Sequence, residues 1–416
     1  MDLRDLRIDG KRLWQRIEDL GDIGAIHGPN GERGVARLAL TDADQAGRDL
    51  VVSWMRDLGM SVEIDGVGNV VGTRAGKDPD AAPVMCGSHI DTVGTGGRFD
   101  GNLGVLAGLE VIETLAQHRV TTRRPIQVAF FTDEEGSRFA PDMLGSYVFV
   151  GGLALEEALD SRDPKGIRLG DELERIGYAG PTPCPRAEFP AAYVELHIEQ
   201  GPVLEREGRT IGVVTGVQGI SWTELTIEGR SAHAGTTPMA MRNDPMVVAG
   251  GVIQAMREVA QSIGGAQVCT VGRLDASPNL TNVVPAKVVM TLDIRNTDER
   301  LLELAEMGIF SRAGILAMSE GCTLHKRTTA RFAPVEFDAD MIDRVEATAE
   351  RLGYSNMRMP SGAGHDAQML ARVCPTSMIF VPSVNGLSHN IAEYTDPADI
   401  EAGGNVLLQM LLDLAH

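Results

Sequence analysis

The sequence predicts an α/β protein with a mostly parallel sheet covered by helices, into which a smaller ferredoxin-like α+β domain is inserted. In the first half of the chain, short continuous apolar runs alternate with helical patterns. The middle of the chain instead follows the order β-α-β-β-α-β, which is the ferredoxin-like arrangement. At 416 residues the chain is also too long for one ordinary hydrophobic core, so we expect two domains.

In the first half, residues 41–44 (Thr-Asp-Ala-Asp) are typical of an acidic helix cap and predict a helix over about residues 45–58. The run from residue 84 predicts a buried strand. Residues 103–118 carry leucine and isoleucine at helical spacing and predict the next helix. The continuous apolar run 126–131 predicts a second buried strand, as in a parallel sheet covered on both faces.

The middle of the chain predicts a separate unit. Its predicted strands cover residues 222–228, 267–274, 287–295 and 322–329, and its predicted helices cover 245–262 and 298–318. We therefore expect a catalytic domain in two parts, 1–214 and 330–416, with an inserted domain at 215–329.

Composition excludes several partners. The formal net charge of −20 disfavours nucleic acid and anionic membranes. No uninterrupted apolar run approaches ~18 residues, so no membrane span is expected. Residues 1–20 are charged throughout, unlike a signal peptide. The odd number of scattered cysteines favours reduced thiols and a cytoplasmic protein; these are Cys86, Cys184, Cys269, Cys322 and Cys374.

Five metal-ligand-type residues each lie in a short polar segment that follows an apolar run, where open α/β sheets place their active sites. They are His89, Asp100, Glu135, His197 and His389. A carboxylate such as Asp100 can bridge two ions, which an imidazole cannot. The five residues can then supply three protein ligands to each of two divalent ions and leave room for water and substrate. Zn, Mn, Co and Ni all accept such ligands.

Two neighbouring acids fit supporting roles. Glu134 precedes Glu135, and adjacent side chains on extended backbone point to opposite sides, so one can bind metal while the other acts as general base. Asp91 lies two residues after His89, on the same face of the strand, and can accept the second ring N–H of that histidine.

Each of these features, taken alone, has a simpler interpretation. A single histidine after a strand is more often structural, and an acidic triplet is usually a solvated turn. The segment 66–72 superficially resembles a dinucleotide-binding loop, but its third glycine is one residue late and no helix pattern follows, which favours a hairpin turn over a dehydrogenase. A non-catalytic binding protein would not need Glu134 beside all five ligands.

The segments resemble, in order, those of the hydantoinase/carbamoylase branch of the M20 metallopeptidase-like superfamily. They are GSHIDTV, GGRFDGNLGV, FTDEEGSRF, ELHIEQGPVLE, GRSAHAGTTPM, LTNVVP, DIRN, GAGHDA and LSHN, and they span about residues 85–390. This branch contains N-carbamoyl-L-amino acid hydrolases, allantoate amidohydrolases and β-ureidopropionases. Related peptidases and deacylases usually carry Glu or Asp where this chain has His197, which points to the ureido-cleaving branch.

The resemblance implies a role for each matching residue. It assigns His89, Asp100 and His197 to one ion, and Asp100, Glu135 and His389 to the other. It implies that Glu134 is the general base, that Asp91 is the partner of His89, and that the inserted domain is the lid through which a homodimer forms.

Substrate contacts are also implied by the resemblance. His233 matches a histidine that stabilises the developing oxyanion, in its own or the partner subunit's site. Arg295 matches a clamp for the substrate carboxylate, which a guanidinium can bind bidentately. Asn282 and Gln200 match polar contacts, and Gly364 lies in a loop beside the site. Without the resemblance, His233 would be a structural residue in a Gly-rich turn and Arg295 a salt-bridge partner at a strand end.

The expected activity is hydrolysis of the ureido C–N bond of an N-carbamoyl-L-amino acid to the amino acid, CO2 and ammonia. An allantoate amidohydrolase or β-ureidopropionase activity stays open. An aminoacylase- or carboxypeptidase-like activity is a further alternative, which His197 disfavours. His365 receives no role.

Overall fold

A computed structural model describes residues 2–416, which divide into two compact units. The first unit combines the residues up to Gly216 with Glu336–His416, and the second is Val217–Val335. No helix within the described residues is both long enough and apolar enough to cross a membrane.

The strands of both units are numbered together in chain order. They are β1 (Ala25–His27), β2 (Arg33–Val35), β3 (Ser61–Ile64), β4 (Val70–Arg74), β5 (Val84–His89), β6 (Ile126–Phe131), β7 (Ala192–Ile198), β8 (Ile211–Val217), β9 (Gly219–Glu228), β10 (Ala232–His233), β11 (Val268–Ser277), β12 (Val283–Val284), β13 (Lys287–Asn296), β14 (Thr323–Phe332), β15 (Val335–Glu336), β16 (Asn356–Ser361) and β17 (Thr376–Val381).

The helices are numbered in the same way. They are α1 (Gly10–Gly21), α2 (Asp42–Asp57), α3 (Asn102–Gln117), α4 (Leu144–Phe149), α5 (Leu155–Asp160), α6 (Leu169–Ile176), α7 (Val203–Glu207), α8 (Pro245–Ile263), α9 (Glu299–Ser319), α10 (Ala339–Arg351), α11 (Asp366–Leu370) and α12 (Pro397–Ala415). Short 3-10 helices cover Leu3–Asp5, Met239–Met241 and Val384–Gly386.

Four parallel strands form the centre of the large sheet of the first unit, in the order β17-β7-β5-β6. Antiparallel strands extend this centre on both sides, β8 beside β17 and β4 and β3 beyond β6. Every residue of β5, β7 and β17 is buried, as expected for strands covered by helices on both faces. The fold class predicted from the apolar runs is confirmed.

The predicted helices and strands lie close to those observed. The capped helix begins at Asp42, and the Thr41 side chain accepts a hydrogen bond from the amide of Asp44, as an N-cap residue does. Strand β6 covers the same residues, 126–131, as the sequence predicted.

The second unit has its own sheet and its own core. Its four-stranded antiparallel sheet has the order β11-β13-β9-β14, and its elements follow one another as β9, α8, β11, β13, α9 and β14, with the short pair β10 and β12 between them. Apolar residues of α8 and α9 pack against β9 and β13, and this cluster is fully buried. The unit therefore has the hydrophobic core of an independent domain.

Helix α3 approaches the centre of the large sheet very closely. A Cβ atom added at Gly104 would lie 2.6 Å from the main-chain oxygen of Leu196 and 3.0 Å from that of Gly87. Main-chain oxygens of a buried sheet cannot move aside as a flexible side chain can. Glycine at this position thus lets α3, which begins two residues after Asp100, lie against β5 and β7.

We therefore expect Gly104→Ala to destabilise the first unit. The added methyl group has to displace backbone, and overpacking of this kind costs about 1–3 kcal/mol of unfolding free energy. Urea unfolding followed by circular dichroism measures the loss. Gln117→Ala, at an exposed position near the end of the same helix, is the control and should stay within about 0.5 kcal/mol of the unsubstituted protein. Equal stability of the two variants would contradict the close approach of α3 as the reason for glycine.

Candidate metal centre and active site

The carboxyl ends of the four central parallel strands bring the predicted ligands together. His89 is the last residue of β5, and His197 is the penultimate residue of β7. Glu135 follows the end of β6, and His389 follows the end of β17. Parallel strands end at the same edge of a sheet, so residues more than a hundred positions apart in the chain become neighbours.

The first donor group contains His89, Asp100 and His197, whose ligand-type atoms all lie within 4.8 Å of one another. The Nδ1 atom of His89 is 2.9 Å from the main-chain oxygen of Asp91, and that of His197 is 2.8 Å from the main-chain oxygen of Ile198. A carbonyl oxygen only accepts, so each Nδ1 donates its hydrogen. Each Nε2 is left facing Oδ1 of Asp100, at 3.8 Å from His89 and 3.2 Å from His197.

The second donor group contains Asp100, Glu135 and His389. Nε2 of His389 lies 3.1 Å from Oε2 of Glu135 and 3.4 Å from Oδ2 of Asp100. The two oxygens of Asp100 are thus divided, with Oδ1 in the first group and Oδ2 in the second. This is the arrangement in which a carboxylate can bridge two ions.

The electrostatics of the two groups suit cations. Burial lowers the pKa of His89 to about 4, which keeps its imidazole neutral, as a ligand must be. Burial opposes protonation of His197, but hydrogen bonding to Asp100 raises its pKa to about 9. Hydrogen bonds with Asp100 and Glu135 raise the pKa of His389 to about 11. The carboxylates therefore favour positive charge at the Nε2 atoms of His197 and His389. The mixed nitrogen and oxygen donor set fits a divalent transition metal.

Glu134 lies beside the first donor group, with Oε2 3.4 Å from Nε2 of His89. Burial, together with the neighbouring carboxylates of Asp366 and Glu135, raises the pKa of Glu134 well above its ordinary value. A carboxylate with a raised pKa holds a proton more readily near neutral pH, which suits a group that accepts and returns one.

Asp91 contacts its surroundings differently from the sequence prediction. The His89 ring donates to the main-chain oxygen of Asp91, while the Asp91 carboxylate is 4.0 Å from Nδ1. That carboxylate instead accepts long hydrogen bonds, both 3.4 Å, from the amides of Glu134 and Glu135. Asp91 therefore orients His89 through its backbone and the acidic turn through its side chain.

Buried side chains that the sequence analysis missed hold the Asp100 turn in place. The Arg37 guanidinium, fully buried, donates to the carbonyl of Ile90 and to Oδ1 of Asn102, each at 2.8 Å. Asn102 in turn donates to the main-chain oxygen of Asp100 at 3.0 Å. Glu393 accepts from the amides of Phe99 and Asp100. No local motif marks Arg37 or Glu393, because both reach the turn from distant parts of the chain.

Three polar residues, of which only Gln200 was predicted, contact the donors of these groups. Gln200 donates from Nε2 to Oδ2 of Asp100 at 2.8 Å, and it has a positive φ of 59°. Ser388, which the sequence analysis passed over despite its place beside His389, donates to the same oxygen at 2.9 Å. His365 packs its ring against that of His197, with centroids 4.5 Å apart, and its Nε2 lies 2.8 Å from the Ser361 hydroxyl. Gly364 precedes His365 in the same loop.

The other predicted substrate residues belong to the second unit. His233 and Asn282 lie near each other because β10 pairs with β12 and the carbonyl of Asn282 accepts from the amide of Ala234. Nδ1 of His233 accepts from the amides of Gly235 and Thr236, so Nε2 carries the hydrogen. Arg295 pairs bidentately with Asp293, from Nε to Oδ1 at 2.9 Å and from Nη2 to Oδ2 at 2.8 Å.

Comparison with known proteins shows the family and the fold of the chain. The sequence pattern of "Peptidase family M20/M25/M40" matches residues 85–413. An N-carbamoyl-L-amino-acid amidohydrolase of Rhizobium meliloti is 44% identical over 99% of this chain and 97% of its own. The allantoate amidohydrolase of Bacillus subtilis is 33% identical over 94% of this chain and 95% of its own. The crystal structure of a hydantoinase/carbamoylase family amidase from Burkholderia multivorans has 46% identity and a TM-score of 0.92, over 99% and 98% of the two chains.

The family match and these relatives show that the chain is a hydrolase of non-peptide C–N amide bonds. The chain belongs to peptidase family M20/M25/M40, and its structural neighbours are hydantoinase/carbamoylase family amidases. The resemblance inferred from the sequence motifs is confirmed.

Proposed function

We propose that this protein hydrolyses the ureido C–N bond of N-carbamoyl-L-amino acids with two divalent metal ions. The observation that carries the proposal is the convergence of two donor groups on the single carboxylate of Asp100, with Glu134 beside them. The names of similar proteins, among them the N-carbamoyl-L-amino-acid amidohydrolase of Rhizobium meliloti, support the substrate class.

The metal ions are assigned by donor chemistry. His89 and His197 would hold one ion, Glu135 and His389 the other, and Asp100 both. When bound, such ions lower the pKa of a water molecule to about 7 and stabilise negative charge that develops on a substrate oxygen.

We expect Asp100→Asn to lose both ions, since the amide supplies less negative charge to either donor group. His389→Ala should lose chiefly one, because His389 lies in the second group only. Elemental analysis after dialysis against Mn or Zn should find about two ions per chain in the unsubstituted protein.

Asp78→Asn, at a half-buried position outside both groups, is the matched control and should keep the full metal content. If His389→Ala lost as much metal as Asp100→Asn, the two ions would not be separable, and the assignment of distinct groups would fail.

The residues of the chain account for the proton transfers. Glu134 accepts a proton from the attacking water, whose oxygen forms a bond to the ureido carbon. His233, as an Nε2–H donor, stabilises the oxyanion by hydrogen bonding. Glu134 then delivers the proton to the amino-acid nitrogen as the C–N bond breaks. The remaining carbamic acid decomposes to CO2 and ammonia.

The direct experiment measures ammonia release over a panel of compounds with added Mn or Zn. We expect N-carbamoyl-L-amino acids to react and the N-acetyl amino acids and D-enantiomers to react slowly or not at all. Glu134→Gln should keep its metal and lose roughly 10²–10⁴-fold in turnover, because only the base is removed.

Two outcomes would contradict this proposal. Substantial turnover by metal-loaded Glu134→Gln would remove the assigned base. Faster hydrolysis of N-acetyl amino acids than of N-carbamoyl amino acids would favour the aminoacylase-like alternative.

An allantoate amidohydrolase activity is the second candidate, since the Bacillus subtilis relative bears that name. Both substrates carry a ureido group and a carboxylate, so the same metal centre and the same general base serve either. The panel therefore includes allantoate and N-carbamoyl-β-alanine, and the compound with the highest kcat/KM identifies the substrate class.

Arg295 is the proposed clamp for the substrate carboxylate. Its bidentate pairing with Asp293 holds the guanidinium in a fixed orientation before substrate arrives. A substrate carboxylate would then either displace Asp293 from the guanidinium or bind to it beside Asp293.

We expect Arg295→Ala to raise KM for carboxylate substrates by about 10–100-fold, the loss of a charge-assisted hydrogen-bonded pair. Steady-state kinetics on the panel compound with the highest kcat/KM measures the change in KM. The corresponding amide, which lacks the carboxylate, serves as the comparison substrate. Arg327→Ala is the matched control, because Arg327 also pairs with an acid in the same sheet. A KM for Arg295→Ala that equals the control's would exclude the clamp.

We propose that the second unit also forms a homodimer. Its two helices expose apolar side chains that a monomer would leave in water. Those at least one-third exposed are Met246, Val247, Ile253, Leu301, Leu304, Met307, Ile315 and Met318. Dimerisation through this surface would bury them and allow His233 to act in its own or the partner's site.

A further inference from the structure

The guanidinium of Arg295, the proposed clamp for the substrate carboxylate, already holds a carboxylate from its own strand. Asp293 and Arg295 lie two residues apart on β13, so their side chains project from the same face of the sheet. Nε donates to Oδ1 of Asp293 at 2.9 Å, and Nη2 donates to Oδ2 at 2.8 Å. Two such parallel hydrogen bonds are also the geometry with which arginine binds the carboxylate of a ligand. Asp293 therefore occupies Arg295 in the way that a substrate would.

This pair lies on the open face of the sheet of the second unit. The residues next to it in the strand, Leu292 and Ile294, point the other way and are buried in the core that contains α8 and α9. The side chains of Arg295 and Asp293 keep 22% and 30% of their surface exposed. A ligand can thus reach both partners of the pair without any opening of the core.

Arg295 is held in place by contacts that do not involve Asp293. The Nε2 atom of Gln267 donates to the main-chain oxygen of Arg295 at 2.9 Å. The guanidinium carbon lies 6.0 Å from the ring centroid of Trp222, at a distance where a cation is attracted to the aromatic face. Asp293, in contrast, can turn its carboxylate away by a change of side-chain rotamer alone. When a ligand competes for the pair, Asp293 is therefore the partner that moves.

Charge on the same face favours this movement. Two carboxylates on one guanidinium would lie close together and repel each other, so a substrate carboxylate displaces Asp293 more readily than it binds beside it. Thr270 is opposite Asp293 on β11, and Arg273 is opposite Thr291, which places Arg273 diagonally across from Asp293. Long side chains reach their diagonal neighbours in an antiparallel sheet. The displaced carboxylate thus stays near a second cation.

We propose that Asp293 is an internal competitor for Arg295, which a substrate carboxylate displaces and which returns when the product leaves. The inference rests on the proposed function, because it takes Arg295 as the clamp. The amino-acid product keeps the carboxylate of the substrate, so the competition of Asp293 weakens the binding of both. Asp293 therefore limits inhibition by the product at the cost of a higher KM.

The test compares Asp293→Asn with the unsubstituted holoenzyme on the panel compound with the highest kcat/KM, on its amide and on its amino-acid product. The asparagine competes without a charge, so KM for the carboxylate compound and the inhibition constant of the product should each fall by about three- to tenfold. KM for the amide, which lacks the carboxylate, should stay within about twofold. Asp293→Ala should lower the same two constants, and it serves if Asp293→Asn fails to fold.

Glu224→Gln is the matched control. It removes one negative charge from the same face, where Glu224 pairs with Arg273 and Arg327, and it should leave all three constants within about twofold. A KM for Asp293→Asn that equals or exceeds that of this control would overturn the inference.

The Arg295→Ala background separates this inference from the proposed clamp. Asp293→Asn should have no further effect there, since its competitor's target is gone. An equal fall of KM in that background would show an effect of charge at a distance and would overturn the inference. If Arg295→Ala raises KM but Asp293→Asn does not lower it, the inference alone fails. If Arg295→Ala leaves KM unchanged, the clamp fails and the inference fails with it.

Discussion

The site depends on one constraint, the parallel order of β17, β7, β5 and β6. Parallel strands all end at one edge of their sheet, so the chain segments that follow them meet there. The donors come from segments as far apart in the chain as His89 and His389. If neighbouring strands ran in opposite directions, the segments that follow them would lie at opposite edges of the sheet, and their donors could not share an ion. Helix α3 can lie this close to the sheet because Gly104 has no side chain.

Within that edge, main-chain oxygens orient the two histidines of the first donor group. Main-chain oxygens fix the Nδ1–H tautomers of His89 and His197 and direct both Nε2 atoms to Asp100. Arg37, through Asn102, holds the backbone of the Asp100 turn from a fully buried position. Donors placed in this way need little rearrangement when an ion binds, which is the condition for tight and selective coordination.

Sequence reasoning succeeded where the signal was local. The bounds of β6 were predicted to the residue, and the capped helix was predicted with its start three residues late, since strand burial and capping are properties of a few adjacent residues. It failed where the partner was distant. Glu393 and Arg37 contact the Asp100 turn across long stretches of chain, and the carboxylate of Asp91 serves the turn that follows β6 instead of the His89 ring.

The sequence by itself determined the class of fold, the identity of the metal donors as candidates and the family, because these follow from side-chain chemistry, periodicity and motif order. Only the tertiary structure decided how the two oxygens of Asp100 are divided between the donor groups, and that Arg295 is paired with Asp293. Each of these is a distance between atoms that the chain brings together only by folding, and no local pattern of residues encodes it.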